Sequence, residues 1–542
     1  MRQFYRYILL TAAVTAPFSG FALPSNCTVG KNVYYISQAG SDSNTQAQAM
    51  SNATPWKHAP FMHSFTGKYS HTAGDCFIFR GGDTWASSDY FVITSAGTSA
   101  GNTDYYGIDQ TWYVGSAWAR PIFDIQGTLP NVDSYGNSNI VKLNASWVTF
   151  DNWEFVHGTC ANGTSQNYFA LSSQQGIYVT NSYFHAFEAP TGGCGSGKTG
   201  DGNNFGVWVY ESVSSSAGCA GSFDHNIVDG TDGSGAKGYD TVVYDPSPCS
   251  DISYNVVHDI CSAFGGGFTL AHDNEIYNFG GSVKGAFDCT SQGIHNHAIR
   301  SNNDADVYNN MIYSVESEVI MVNPNAMAGH SVSHIYNNVL WHNGAYGGAV
   351  PVTAIQTGDF PPNTAGSVQI YNNTIDCDSG GGWGSCIRFE SNIGTVAIHN
   401  EHHIMVPGAP LGGIALGNPP FNSGGAGTAS TLSYNAADNL YQTQAQATAT
   451  GYTNTEAYVF SPTSSSSPTV GIGANATNLC SSGMTQLCLD TTYGSSQSGD
   501  TLITPADTPI ARPGSNPWDA GAYLYSSSAP PPPPNGLQAQ VQ

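Results

Sequence analysis

An all-β solenoid of stacked parallel coils is the fold class this sequence predicts, and three observations carry it. A short motif recurs through the middle of the chain, glycine is too frequent for long helices, and one continuous core has enough apolar residues to form. The recurrence is clearest in VYNNMIYS (307–314), HIYNNVLW (334–341) and QIYNNTID (369–376). Looser copies are FDHNIVDG (223–230), DISYNVVHD (251–259) and LAHDNEIYN (270–278). Self-similarity at intervals of tens of residues marks repeat architectures. The 63 glycines among 542 residues suit turns, since each glycine inside a helix costs roughly 1 kcal/mol against alanine. A hydrophobic fraction of 40% with 12% aromatics excludes global disorder.

The copies align on Asn226, Asn255, Asn274, Asn310, Asn338 and Asn373. Three residues earlier stand Phe223, Ile252, Ala271, Val307, Ile335 and Ile370; two residues later stand Val228, Val257, Ile276, Ile312, Leu340 and Ile375. Apolar residues on both sides of a polar pivot read as a short strand, a bend and a second short strand. Asparagine tolerates the left-handed backbone of a sharp bend, so the aligned residue is expected at the bend itself, its amide bonded to the same amide one layer away. The intervals between successive pivots are 29, 19, 36, 28 and 35 residues. A constant unit at irregular intervals means loops of variable length inserted into one stacked coil, in which each turn buries its inward side chains on its neighbours. A β-sandwich would show hairpin turns at regular short spacing instead. Weaker relatives, VTFDNWEF (148–155), GIYVTNSYFH (176–185) and TVAIHNEHHIM (395–405), extend the series at both ends.

Charge and cysteine place the chain. Only 14 Lys and Arg stand against 38 Asp and Glu, a net charge of −24, so electrostatic binding of nucleic acid or anionic membrane lacks the residues it needs. Arg2 and Arg6, the apolar YILLTAAVTAPFSGFA and the small-x-small Gly20-Phe21-Ala22 read as a secretory signal over 1–22. No other stretch approaches the roughly 20 apolar residues of a spanning helix. Twelve cysteines, none in CxxC spacing, are expected as disulfides of a secreted, periplasmic or cell-surface protein. Cys377 with Cys386 and Cys480 with Cys488 are the expected short loops. Residues 23–525 are assigned to the solenoid and 526–542, with their proline run, to a stiff linker and tail. Residues 414–515 are expected to form late coils with long loops and a cap.

These residues resemble the right-handed parallel β-helix proteins of the pectin-lyase-like superfamily. YYISQAGSDSN (34–44) with TPWKH (54–58) resembles the opening strand and cap, GDCFIFRGGDTW (74–85) the first coil, WARPIFDIQG (118–127) an early coil and NPWDAGAYLY (516–525) the closing strand. The resemblance covers about residues 33–525 and implies a single-stranded right-handed parallel β-helix with short caps and long inserted loops. Activity rides on sites grafted onto the coils.

The superfamily mostly cleaves acidic polysaccharides. Hydrolysis of the polygalacturonase kind needs close carboxylate pairs, and the sequence has neither an Asp-Asp pair nor GHG. β-Elimination needs a cation on the uronate carboxylate, a base for the C5 proton and a donor for the leaving oxygen. FDHNIVDGTDGSGAKGYD (223–240) and ISYNVVHD (252–259) resemble the aspartate-bearing region of family 1 pectate lyases, and AIRSNNDADVYNN (298–310) the segment with the catalytic arginine. The resemblance implies Asp224, Asp229, Asp232 and Asp240 as Ca²⁺ ligands and Arg300 as the base, with Lys237 as an alternative. The family's Arg-x-Pro-x-x-Arg pattern is missing. His295 and His297, spaced to share one strand face, are candidates for the site wall, His297 with a catalytic role and His295, like Lys284, with a substrate-binding one. Turn formation accounts equally for single aspartates in such loops. Two readings follow: a Ca²⁺-assisted lyase on an acidic polysaccharide, and a non-catalytic β-helix that binds carbohydrate or serves as an adhesin, monomeric in either case.

Overall fold

The computed structural model describes residue 27 and residues 30–126, 138–158, 166–171, 174–187, 205–210, 221–230, 241–245, 250–260, 262–279, 297–301, 304–315, 319–324, 332–341, 352–357, 363–376, 383–389, 392–405, 429–449, 461–492, 494–503 and 509–526. One coil shows the design. Gly221–Asp224 lies in a first sheet, His225 and Asn226 turn the corner, and Ile227–Asp229 lies in a second sheet. A connection leads to Thr241–Asp245 in a third sheet, and the chain returns to the first at Asp251–Ser253. Repetition builds parallel sheets of 13, 12 and 10 strands among the described residues, here called sheets I, II and III. Every strand of sheet I except the two at its ends pairs in parallel with strands from the coils above and below. This is a parallel β-helix, right-handed as crossovers between parallel strands are.

The predicted flanks of each pivot point inward: all twelve, from Phe223 to Ile375, are buried in one core. Core width follows side-chain size. In the inward column of sheet I, Tyr34, Phe77, Tyr106 and Phe150 stack at 4.8–5.7 Å in the first coils. From Ile252 to Ile398 the same column is aliphatic. The first coil is closed by helix Gln46–Ala49, whose Thr45 and Gln48 cap each other, and by the buried Trp56.

The corner corrects the reading of the bend by one residue. The left-handed backbone belongs to the residue before each pivot: His225, Tyr254, Asp273, Asn309, Asn337 and Asn372 have φ of 54–56°. The pivots themselves are buried rungs. Each backbone N–H donates to the side-chain oxygen of the next: Asn226 to Asn255 at 3.0 Å, Asn255 to Asn274 at 2.9 Å, Asn274 to Asn310 at 3.1 Å, Asn310 to Asn338 at 3.1 Å and Asn338 to Asn373 at 3.0 Å. Each side-chain amide also donates to a carbonyl of the coil below, as Asn310 does to Ala271 at 2.9 Å. Buried backbone groups must be satisfied, and the amide ladder does so where the chain turns too sharply for a sheet bond.

Two rungs depart from asparagine. Ser182 donates its N–H to Asn226 Oδ1 at the start of the ladder, and Glu401 takes the place after Asn373. Glu401 is fully buried, which pushes its pKa up to about 8. The neighbouring rings of His402 and His403 are driven down by burial, to about 4 and about 3. Glu401 Oε2 lies 3.2 Å from His403 Nε2, while its Oε1 accepts from Asn373.

The closing segment does not behave as a closing strand. After the last coil, Ala429–Tyr434 and Leu440–Thr443, and helix Gln444–Ala449, residues 461–526 run back along the corner between sheets I and II as a strap. The left-handed residues grip it. Asn400 exchanges hydrogen bonds with Ala474, Asn372 donates to the carbonyls of Asp519 and Gly521, and Asn337 donates to those of Gln486 and Leu489. Thr492 bonds Asp273, and Gln497 meets His258 at 2.8 Å. Gly521 has φ +88°, and a Cβ there would lie 2.7 Å from Thr374 Oγ1. NPWDAGAYLY therefore buries Trp518, Ala522 and Tyr523 against the coils but makes only an isolated bridge, Gly473 with Trp518. In the doublets Asn337-Asn338 and Asn372-Asn373 the first residue holds the strap and the second is the rung.

Cys480 and Cys488 are bonded as expected, and Cys27 pairs with Cys76. Cys386 is also disulfide-bonded, whereas Cys377 lies outside the described residues. These bonds are consistent with an oxidising compartment. No helix among the described residues is long and apolar enough to cross a membrane.

Candidate functional site

Sheet III differs from the other two. Its strands begin and end in connections of variable length, and its outward positions align in register. One column runs from Lys142 through Ala170, Val209 and Tyr244 to Gly265, Arg300, Met321, Gln356 and Arg388. The inward neighbours Val141, Ile299, Ile320, Ile355 and Ile387 are fully buried, so alternation turns Lys142, Arg300 and Arg388 outward, each half-buried.

Between residues 121 and 511 the sequence has six Lys and Arg: Lys142, Lys198, Lys237, Lys284, Arg300 and Arg388. Three lie in this single column. Lys198, Lys237 and Lys284 lie outside the described residues, in sequence between a strand of sheet II and the next strand of sheet III. Sheets I and II present no Lys or Arg over this range among the described residues. In a chain of net charge −24, the described cations between residues 121 and 511 thus belong to one face. At roughly 4.8 Å per layer, Arg300 and Arg388 stand about 14 Å apart and Lys142 about 24 Å from Arg300.

Asp224 and Asp229 do not lie on this face. Asp224 ends a strand of sheet I, where it accepts from Thr180 Oγ1 at 2.7 Å and contacts His225 Nδ1 at 2.8 Å. Asp229 ends a strand of sheet II, near Tyr183 Oη at 3.3 Å and His258 Nδ1 at 3.6 Å. Burial opposes the charge of His258, yet its hydrogen bond to Asp259 and the nearby Asp229 carry its pKa above the ordinary range. Asp232, Asp240 and His295 lie outside the described residues. No group of three or more His, Cys, Asp or Glu able to hold a metal occurs among the described residues. With their oxygens engaged on separate sheets, Asp224 and Asp229 do not fit a shared calcium site. His297 is buried just before Ile299–Ser301, and its carbonyl accepts from Ser262 Oγ at 3.2 Å. It stands at the edge of the face that Arg300 occupies. Trp341 is stacked on Tyr313 at 4.3 Å in a ladder on sheet II and is buried, so its ring packs within the protein.

Lys142 is the site residue that sequence reading missed. The signal for it was present: every Lys and Arg between residues 121 and 511 falls between the end of one sheet II strand and the start of the next sheet I strand.

No family model and no curated protein matches the chain. Among solved structures, it is similar to GH136 lacto-N-biosidase from Eubacterium ramulus, with a TM-score of 0.38 and 10% identity over 76% of this chain and 68% of that one. The native form of that protein gives a TM-score of 0.32 and 11% identity with the same coverage. A rhamnogalacturonan lyase is similar with a TM-score of 0.35 and 11% identity, over 77% of this chain and 88% of that one. The three parallel sheets are those of a parallel β-helix.

Proposed function

We propose that the protein is a carbohydrate-active β-helix whose sheet III face takes an acidic polysaccharide. One observation carries the reading: Lys142, Arg300 and Arg388 share an outward column of an otherwise acidic molecule. Arginine meets carboxylates through two parallel hydrogen bonds, and a row of cations along parallel strands matches an extended polyanion. In its finer form the reading is β-elimination. The C5–H and C4–O bonds of a uronate unit break, a C4=C5 double bond forms, and the proton and leaving oxygen are handled by Arg300, Lys237 and His297. His295 and Lys284 are assigned to substrate binding. No step is routed through calcium, because the described aspartates do not form its site.

Ultraviolet absorbance of the unsaturated product, followed on pectate, alginate and glycosaminoglycans with and without Ca²⁺, tests the finer reading. A rise on one substrate that Arg300→Ala abolishes is expected. Retention on the polymer without any rise leaves the non-catalytic, carbohydrate-binding form. Neither rise nor retention removes both.

A further inference from the structure

The corner between sheets I and II lies across the core from sheet III, and the strap does not fill its first part. Between the strap tip, where Ser496–Ser498 pairs with Thr501–Ile503, and the early coils is a cavity of about 200 Å³. Trp118, Arg120, Asn152, Asn181, His225 and Asp500 line it. Arg120 is the centre of the wall. Its side chain is 10% exposed, Nε donates to the Asn181 carbonyl at 3.3 Å, and Nη1 donates to the Asp500 carbonyl at 3.0 Å and carboxylate at 3.3 Å. The Trp118 ring lies 5.7 Å from the guanidinium carbon. The chain beside Trp118 can come this close only because residue 81 is glycine: a Cβ there would lie 2.4 Å from the Ala119 carbonyl oxygen.

The remaining wall is polar and fixed. Asn152 and Asn181 both donate their amide nitrogen to Asp151 Oδ1, at 3.0 and 2.8 Å, and among the described residues no hydrogen bond uses their side-chain oxygens. His225 is held by Asp224 through Nδ1 and stacks on Tyr254 at 4.7 Å, which leaves Nε2 toward solvent. An aromatic face, guanidinium donors, two amide oxygens and an imidazole nitrogen are the complement of a sugar ring, which has one apolar face and a rim of hydroxyls. Charge narrows the class. The Arg120 guanidinium already has Asp500 as its partner, with Glu154 and Asp151 close by, so a further carboxylate meets net negative surroundings.

We propose that this cavity binds one uncharged sugar unit, the end of a neutral branch of a glycan, on the side of the helix opposite the cationic face. The site is independent of the sheet III reading. The test is saturation-transfer NMR on the full chain with the methyl glycosides of galactose, glucose, xylose and rhamnose, and methyl galacturonoside as the charged control. At least one neutral glycoside is expected to take up saturation and the galacturonoside none. Trp118→Ala is expected to weaken binding about tenfold, Trp118→Phe to retain it, and Arg300→Ala to leave it unchanged. The retained binding of Trp118→Phe separates loss of stacking from loss of local fold. Retention on immobilised arabinogalactan, lost in Trp118→Ala, identifies a branch end; free glycosides binding without such retention overturn the branch assignment. No transfer to any neutral glycoside, or transfer that survives Trp118→Ala, overturns the site.

Discussion

The corner between sheets I and II and the face of sheet III are built on the same coils and follow opposite rules. At the corner two residues turn the chain in nearly every layer, one left-handed and one a buried rung, and nothing is inserted. Around sheet III the connections range from a few residues to many, and the outward positions change from lysine to glycine to arginine. Satisfying buried backbone groups leaves little freedom, so the corner is uniform. An outward strand position bordered by loops carries no such obligation, and there residues are free to differ for function. Stability is therefore expected to concentrate at the corner and ligand chemistry at the face.

The largest effect that sharpens the contrast is on a rung. Asn310→Ala strands the Asn274 N–H and the Ala271 carbonyl, and at 1–3 kcal/mol per buried group is expected to destabilise the middle coils by about 4 kcal/mol. Arg300→Ala, on the face, should stay within about 0.5 kcal/mol. Denaturant unfolding with hydrogen exchange compares the two, and equal losses break the distinction.

The strap comes next. Arg512 is buried, with Nη2 on Asn337 Oδ1 at 3.1 Å and the Ala522 carbonyl at 3.0 Å, and Trp518 at 5.6 Å. Arg512→Met is expected to cost about 3 kcal/mol, chiefly through the polar groups it leaves without a partner. Limited proteolysis should cut residues 461–526 while the coils stay protected; cleavage within the coils first would show that strap and stack are not separable.

A smaller effect depends on pH. Glu401 is raised in the folded state to about 8, so its contribution is complete below the unfolded value of 4.5 and is lost as pH rises toward 8. His402 and His403 are lowered, so theirs is complete above 6.5 and is lost as pH falls toward 4 and 3. The last coils should be most stable in mildly acid solution. Glu401→Gln keeps the acceptor for Asn373 and removes the alkaline loss, a gain of about 2 kcal/mol above pH 8. An unchanged pH profile of thermal unfolding would count against a protonated rung.

The least change in free energy is expected on the face itself. Arg388→Ala should weaken retention on polygalacturonate about tenfold, equal to 1.4 kcal/mol, with no shift in unfolding. If retention is indifferent to Arg388, the column is not the polyanion track.

The same contrast decides what could be read from sequence. Asn255, Asn274, Asn310, Asn338 and Asn373 recur because each layer needs the same amide in the same place, and their flanks Ile335 and Leu340 recur because each layer needs the same core. The left-handed position was displaced by one residue because it tolerates His225, Tyr254, Asp273 or Asn309 and so leaves no common letter. Glu401 was hidden for the converse reason: HNEHH offers an asparagine, Asn400, one place before the true rung. On sheet III nothing ties Lys142 to Arg300 in sequence, since the loops between them differ in length. Their common column appears only once the strands are in register. The strap was illegible as such, because its partners lie hundreds of residues upstream.

That return path changes what kind of polymer the coil is. Arg120 touches Asp500, 380 residues away in sequence, so a stack whose layers otherwise speak only to their neighbours is closed into a loop. During synthesis the coils must stand without it, because the strap is made after them. Once docked, it ties the earliest layers to the latest and removes the option of fraying from one end alone. The protein is expected to assemble layer by layer and to come apart as a single unit.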